Sequence, residues 1–271
     1  MNRLYQDYNW LKTEYVDKKR SLRDIAKECG VSNSTIHRWV HKFGFKPHSR
    51  CKELPSKAFE PSFELGYILG VLCGDGCLSY NKSNNNWRII LRTSSKKFAE
   101  FFKDILKKWG NLTLRIPEAP TLSRSIIDGR EVISWQYYCY VDSKEAFKLL
   151  KKLLGDKSKI PEICLQDKSC LYGFISGFFD SEGAIYETDV RGWKQKVVVM
   201  GVTNRPLLAE IKKALKSLGF HPTSTYHRVI KGRKPFDYFR LTRREEVLRF
   251  MDEVHNGFKA LPRDESGNLV D

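Results

Sequence analysis

No two cysteines in this chain lie two residues apart, no histidine-rich segment accompanies them, and no apolar run reaches the roughly 18 residues that a membrane span needs. The first two absences argue against a zinc finger or ribbon. The third argues against a membrane-spanning protein, since the longest apolar stretch, "LGYILGVLCGDGCL" at 65–78, is interrupted by Asp75. The opening residues, "MNRLYQDYNWLK", have no apolar core of the kind a secretion signal carries. The seven cysteines are odd in number and scattered, at 29, 51, 73, 77, 139, 164 and 170, several of them inside apolar segments. They are expected to be reduced, mostly buried thiols of an intracellular protein, cytoplasmic and nucleoid-associated in a prokaryote or else in an organelle matrix. Acidic residues are also in short supply, 32 against 48 lysines and arginines in 271 residues, a formal net charge of +16. An excess of that size points to a polyanionic partner, most often nucleic acid. Hydrophobic residues make up 41%, enough for a real core and too many for a disordered chain.

Residues 1–46 read as helices. Leu22, Ile25, Ala26 and Cys29 form an apolar stripe, Gly30-Val31-Ser32 a tight turn, and Ile36, Trp39 and Val40 a second stripe that Ser32 is placed to N-cap. Residues 47–62 carry Pro47, Pro55 and Pro61 among basic residues, the composition of a linker. Beyond them the chain repeats itself. "GYILGVLCGDG" (66–76) aligns with "GFISGFFDSEG" (173–183), "RIILRTSSKKFAEFFKDILKKWG" (88–110) with "VVVMGVTNRPLLAEIKKALKSLG" (197–219), and "YCYVDSKEAF" (138–147) with "YFRLTRREEV" (238–247). Three matches in one order give two half-domains, 63–158 and 159–271, each reading helix, two strands, helix, two strands, helix. The long amphipathic helix of each half closes on a glycine, Gly110 or Gly219.

Small residues recur every fourth position in both leading helices, at Gly66, Gly70 and Gly74 and at Gly173, Gly177 and Ser181. Residues four apart share a helical face, and a face stripped of side chains lets two backbones approach closely. Taken alone, either stripe is a packing seam. The ends add chemistry, because Asp75 and Glu182 occupy the same register, each followed by a glycine suited to end a helix. If the stripes pack about a pseudo-two-fold axis, the two carboxylates finish side by side at negative helix ends, where they raise each other's pKa and where a divalent cation relieves both. Paired carboxylates holding a hard cation are the usual apparatus of phosphodiester hydrolysis.

These paired motifs resemble those of LAGLIDADG homing endonucleases in the single-chain, two-repeat form, over roughly residues 62–255. The resemblance implies an α+β fold of two pseudo-symmetric αββαββα half-domains forming a DNA-binding β saddle, preceded here by a small all-α domain. It implies a monomeric, site-specific double-strand DNA endonuclease of intron homing, acting on a long duplex site with no small-molecule cofactor. Asp75 and Glu182 would be catalytic and would bind Mg2+, with Mn2+ able to substitute, and Gly74 and Ser181 would join the metal set. Cys73 stands where the family often has an acid, which Asp180 keeps in the second motif. Polar residues after the second strand order water in the family; Ser95 and Asn204 lie there, with Lys96, Lys194 and Lys196 as the nearby basic candidates.

Period-two alternation supplies a DNA-facing set independently of the family. Arg88 and Arg92 share one face of the first-half sheet, as do Gln136, Tyr138 and Tyr140, and the second half offers Lys194, Lys196, Tyr238 and Arg240. Arg115 and the basic turns holding Arg130 and Arg233 extend the set, although an ordinary solvated sheet face would look similar residue by residue. At the N-terminus, Ala26, Gly30 and Ile36 fall at the spacing of a helix-turn-helix, which "SLRDIAKECGVSNSTIHRWVHKFGF" resembles along its length. Ser32, Asn33, Ser34, Thr35, His37 and Arg38 would then face a major groove. Two other readings share the fold, a non-catalytic DNA-binding transcriptional regulator and an RNA-splicing maturase.

Overall fold

Alternating stretches of 3.6- and 2-residue periodicity become helices and strands in the order the repeats require. The computed structural model describes residues 3–45, 53–127, 130–190, 192–229, 235–255 and 257–259. The side chain of Arg130, all of Arg233, Lys46 and residues 47–52 of the expected linker lie outside the described residues. The chain divides into two compact units, Met1–Lys52 and Glu53–Asp271.

In the first unit, α1 (Tyr8–Leu11) runs into a π turn (Lys12–Asp17), followed by α2 (Leu22–Cys29) and α3 (Asn33–Lys42). Leu11, Tyr15, Ile25, Ala26, Cys29, Ile36 and Val40 form its core. Ser21 and Ser32 N-cap the two longer helices through Asp24 N and Thr35 N. Gly30 ends α2 at φ 66, a left-handed conformation that a side chain disfavours.

The second unit contains α4 (Phe63–Cys73), β1 (Gly76–Asn81), β2 (Asn86–Thr93), α5 (Lys96–Gly110), β3 (Thr121–Ile127), β4 (Arg130–Asp142) and α6 (Lys144–Leu154). After the short α7 (Glu162–Gln166) the pattern returns as α8 (Lys168–Glu182), β5 (Gly183–Val190), β6 (Trp193–Val202), α9 (Arg205–Ser217), β7 (Tyr226–Arg228), β8 (Phe236–Leu241) and α10 (Arg244–Arg249), which continues as a π turn (Phe250–Val254). Two antiparallel sheets result, β1-β2-β4-β3 and β5-β6-β8-β7, the same strand order twice. One hydrophobic core joins both halves, built from α4 and α8 and from the inner faces of the sheets. Apolar residues of α5 recur at 98, 102, 105, 106 and 109, and all are buried, as a helix laid on a sheet requires. The closing glycines act differently from expectation in one case. Asn111, at φ 50, takes the left-handed position after α5, whereas Gly110 is packed against Leu54, whose Cδ2 a Cβ there would meet at 2.8 Å and have to displace. Among the described residues no helix is long and apolar enough to cross a membrane.

Candidate active site and nucleic-acid face

The glycine stripes of α4 and α8 lie against each other. A Cβ on Gly66 would stand 2.0 Å from Cys170 O, on Gly70 2.1 Å from Phe174 O, on Gly173 2.1 Å from Phe63 O and on Gly177 2.2 Å from Tyr67 O. In each case the obstacle is the other helix's backbone, which cannot yield as a side chain can. At the end of the seam a Cβ on Gly74 would meet Ser181 Cβ at 2.4 Å and Glu182 Cγ at 3.0 Å. The two motifs therefore converge at their acids. They do so with a small asymmetry: α4 stops at Cys73 and Asp75 follows in the turn, whereas Glu182 is the last residue of α8. Neither Gly76 nor Gly183 takes a left-handed conformation. Each instead gives room for the chain to fold back, and a Cβ on Gly183 would lie 2.1 Å from Phe179 Cδ2.

Asp75 keeps contact with solvent while Glu182 is half-buried, but protein crowds both carboxylates. Burial pushes Asp75 up to about 6, opposed by the charge of Lys259. Burial pushes Glu182 up to about 7, the negative charge of Asp75 adds to the rise, and Lys259 again opposes it. Two like charges held together at low hydration cost energy that a hard divalent cation would remove. Among the described residues no cluster of three or more His, Cys, Asp or Glu side chains could hold a metal. A donor set of two carboxylates suits Mg2+, which keeps several waters and takes few protein ligands. The Ser181 hydroxyl donates back to Gly177 O at 3.2 Å, so its side chain is engaged within the helix.

Two lysines missing from the expected set reach the ends of these helices. Lys157 Nζ donates to Leu72 O, and Lys259 Nζ donates to Phe179 O at 3.3 Å and to Gly183 O at 2.6 Å. Leu72 and Phe179 each stand three residues before an acid, so the two contacts are equivalent under the repeat. Each ammonium meets the negative end of a helix. Burial lowers the Lys259 pKa, while Asp180, Asp75 and Glu182 oppose the fall. The signal for these lysines is weak in the sequence: both follow the last helix of their half, but in segments that differ in length and composition.

The other expected water-ordering residues are placed as follows. Ser95 N-caps α5 through Phe98 N, and Lys96 is an exposed first-turn residue. Asn204 N-caps α9 and also donates to Lys157 O at 2.8 Å, so it supports one of the two lysines. Lys194 and Lys196 require correction. They share strand parity with Val198 and Met200, which lie in the core, so they project on the helix side of the sheet, where they line a depression with Arg244, Val247 and Leu248 of α10. Lys196 also borders an open groove with Gly183, Glu187 and Lys259. The run Val197-Val198-Val199 is apolar on both faces, which hides the parity from a sequence reading.

The outward faces of both sheets carry interleaved arginine and tyrosine. Arg88 lies over Tyr140 at 4.3 Å, Arg92 over Tyr138 at 5.3 Å and Arg115 over Tyr140 at 5.4 Å. Gln136 shares their strand parity with Tyr138 and Tyr140 on β4. In the second half Arg240 lies over Tyr238 at 5.3 Å, Tyr226 at 5.4 Å and Tyr186 at 5.9 Å. The tyrosine rings hold the guanidinium groups in place, and Arg88 Nε also donates to Asp142 Oδ1 at 3.0 Å. Tyr186, Tyr226 and Arg228 thus occupy the face that had been expected to present Lys194 and Lys196. In the first unit, Ser32, Asn33, Ser34, His37 and Arg38 are exposed and Thr35 is half-buried on or before α3. Ser32 spends its hydroxyl on Ser34, Thr35 and the helix cap.

The LAGLIDADG-like domain matches residues 62–129 and 169–255, one segment in each half. The uncharacterized protein MJ0398 of Methanocaldococcus jannaschii is 28% identical over 201 residues, covering 74% of this chain and 64% of its own length. The uncharacterized protein MJ0314 of the same organism is 31% identical over 159 residues, covering 59% and 56%. The chain therefore spans less than two thirds of each of these relatives. Among solved structures, the homing endonuclease I-WcaI bound to its DNA recognition sequence covers 85% of this chain and 97% of its own, at 16% identity and a TM-score of 0.45. Full-length DUF199/WhiA from Thermatoga maritima covers 77% and 60%, at 13% identity and a TM-score of 0.46.

Proposed function

The chain belongs to the LAGLIDADG-like domain family, and from that premise we propose that it is a divalent-metal-dependent, site-specific double-strand DNA endonuclease acting as a monomer. The observation that carries the reading is the convergence of Asp75 and Glu182, one from each repeat, at the end of the glycine seam, with both pKa values raised. A family member needing only the fold has no use for two acids that burial and mutual repulsion both disfavour.

Asp75 and Glu182, with main-chain support from Gly74 and Ser181, would hold the cation, Mg2+ or in its place Mn2+. When bound, the cation would supply Lewis-acid stabilisation of the leaving oxygen and lower the pKa of a water so that, once deprotonated, it is nucleophilic toward phosphorus. The rest of the work falls to the chain's own side chains. Arg88, Arg92, Arg115 and Arg240, braced on tyrosines, pair with phosphates and base edges along the two sheets. Lys259 and Lys157 bring positive charge to the helix ends, where a phosphate approaching the acids is negatively charged. The half-buried Glu182 and the core residues beneath it limit the water reaching the acids from the protein side.

The test is selection of cleaved sites from a randomised duplex library in Mg2+, followed by Asp75→Asn and Glu182→Gln on the selected site. Wild type should cut both strands, and either variant should lose at least about 10²-fold in rate. Full cleavage by both variants would remove the assignment. The alternative is a DNA-binding regulator, favoured by the exposed polar face of α3 in the first unit. Tight, sequence-specific binding with neither strand cut in Mg2+ or Mn2+ would select it.

A further inference from the structure

We propose that Asp180 is a positioning residue that latches His255 and residues 257–259 onto both halves and thereby sets the Lys259 ammonium beside Asp75 and Glu182. The inference deepens the endonuclease reading and rests on it.

Asp180 is buried, two residues before Glu182, and takes no part in the acid pair. Its carboxylate accepts four hydrogen bonds: Oδ1 from His255 Nε2 at 2.8 Å and from Lys259 N at 3.0 Å, Oδ2 from Tyr67 Oη at 2.5 Å and from Phe258 N at 2.7 Å. With only acceptors on one side, His255 must carry its proton on Nε2. Burial by itself would raise the Asp180 carboxyl; the His255 and Tyr67 hydrogen bonds and the Lys259 amide hold it below the usual range instead. Only a carboxylate satisfies this geometry, because an amide would point its own donors at two of the four.

The surrounding residues are shaped to the same end. A Cβ on Gly257 would lie 2.1 Å from Asp180 Oδ2, so the segment passes directly over the carboxylate. Phe258 stacks on Phe98 of α5 at 5.5 Å and 18°, and Tyr67 comes from α4, so two of the latch contacts belong to the first half. The next residue, Lys259, then crosses the end of α8 to Phe179 O and Gly183 O. Five contacts in two consecutive residues, Phe258 and Lys259, fix one ammonium group.

The first half is built otherwise. The residue in register with Asp180 is Cys73, half-buried and unable to accept such bonds, and burial raises its thiol to about 12. Lys157 is held through Asn204 from the second half. Loss of the Asp180 latch should therefore release Lys259 and leave Lys157 in place, so the two strands are affected unequally.

The experiment uses the full chain on its selected site in a supercoiled plasmid, with each strand labelled separately. Asp180→Asn and Lys259→Met should each slow cleavage of the same strand about 10- to 100-fold, so that nicked circles accumulate, while the other strand changes less than about twofold. The double variant should be no slower than Lys259→Met alone, since a residue acting through another loses its effect when that other is gone. Independently of activity, the amides of Phe258 and Lys259 should exchange hydrogen at least about tenfold faster in Asp180→Asn than in wild type, with α9 amides unchanged. Gly257→Ala, which displaces the segment but leaves Asp180 intact, should give the same exchange pattern and stands in if Asp180→Asn does not fold. Unchanged exchange, equal slowing of both strands, or additive effects in the double variant would each overturn the proposal. Wild-type protein that binds its site without cutting would instead remove the endonuclease reading, leaving the latch to be judged by exchange alone.

Discussion

Glu182 enters the folded state at a pKa near 7 from an ordinary value of 4.5, and the direction of that shift sets its effect on stability. Below about pH 4.5 the carboxyl is neutral whether folded or not, so it costs nothing. As pH rises through the interval to 7 the unfolded chain releases its proton first, and stability falls; above 7 the penalty is complete. Asp75 adds a fall in the same sense, from 3.8 to about 6. Metal-free protein should accordingly lose thermal stability between pH 5 and 7.5, and Glu182→Gln at pH 7.5 should be more stable than wild type by about 1–2 kcal/mol, a figure reduced for the solvent still reaching the site. Calorimetry with and without Mg2+ checks this: the ion should raise the wild-type midpoint and leave that of Glu182→Gln nearly unmoved. The acids were legible in the sequence because duplication repeats them in register. Lys157 and Lys259 were not, because no repeated motif surrounds them and three-dimensional proximity alone brings them to the helix ends. Asp180 was read only as the acid the family often has at that position, since its partners lie 75 or more residues away.

At the level of elements, the seam between α4 and α8 shows why glycine was accepted at a cost to helix propensity. Gly70→Ala would put a methyl 2.1 Å from Phe174 O, and the helices would have to separate along their whole contact. A loss of about 3 kcal/mol or more is expected, at the upper end of overpacking. Gly30→Ala in the first unit meets no atom within 4 Å and suffers only its φ of +66, so about 1 kcal/mol is expected there. Urea unfolding of the two variants should separate close approach from backbone strain. The sheets teach a different lesson. The alternation of Arg88 and Arg92 against Ile89 and Leu91 exposed the outward face of β2 directly, whereas the three valines of β6 gave no parity and led to Lys194 and Lys196 being assigned to the wrong side. Arg240→Ala should weaken DNA binding and reduce the salt slope by about one. Lys194→Ala should change neither by a comparable amount, and equal effects from the two would contradict the parity assigned here.

For the whole molecule, the two compact units each own a hydrophobic core, and each is basic. Residues 1–52 contain 12 lysines and arginines against 5 acids, so a fifth of the chain holds a quarter of its 48 positive residues. An independent core means that the second unit keeps its packing when the first is absent. If the first unit meets DNA, its charge and exposed capped helix should add phosphate contacts there. Removing residues 1–52 should therefore leave the melting transition of the remaining protein within a few degrees, because the second unit has a hydrophobic core of its own. The acid pair and both lysines stay in place, so the rate of cutting at saturating protein should change less than about threefold. Binding should weaken, by about 10-fold or more at moderate salt, and log affinity should fall less steeply with log salt, the difference in slope counting the lost phosphate contacts. A truncated protein that binds as tightly with the same slope would show that the first unit does not touch DNA at this site. One that binds well but cuts slowly would place the first unit's contribution in the chemistry and not in recognition.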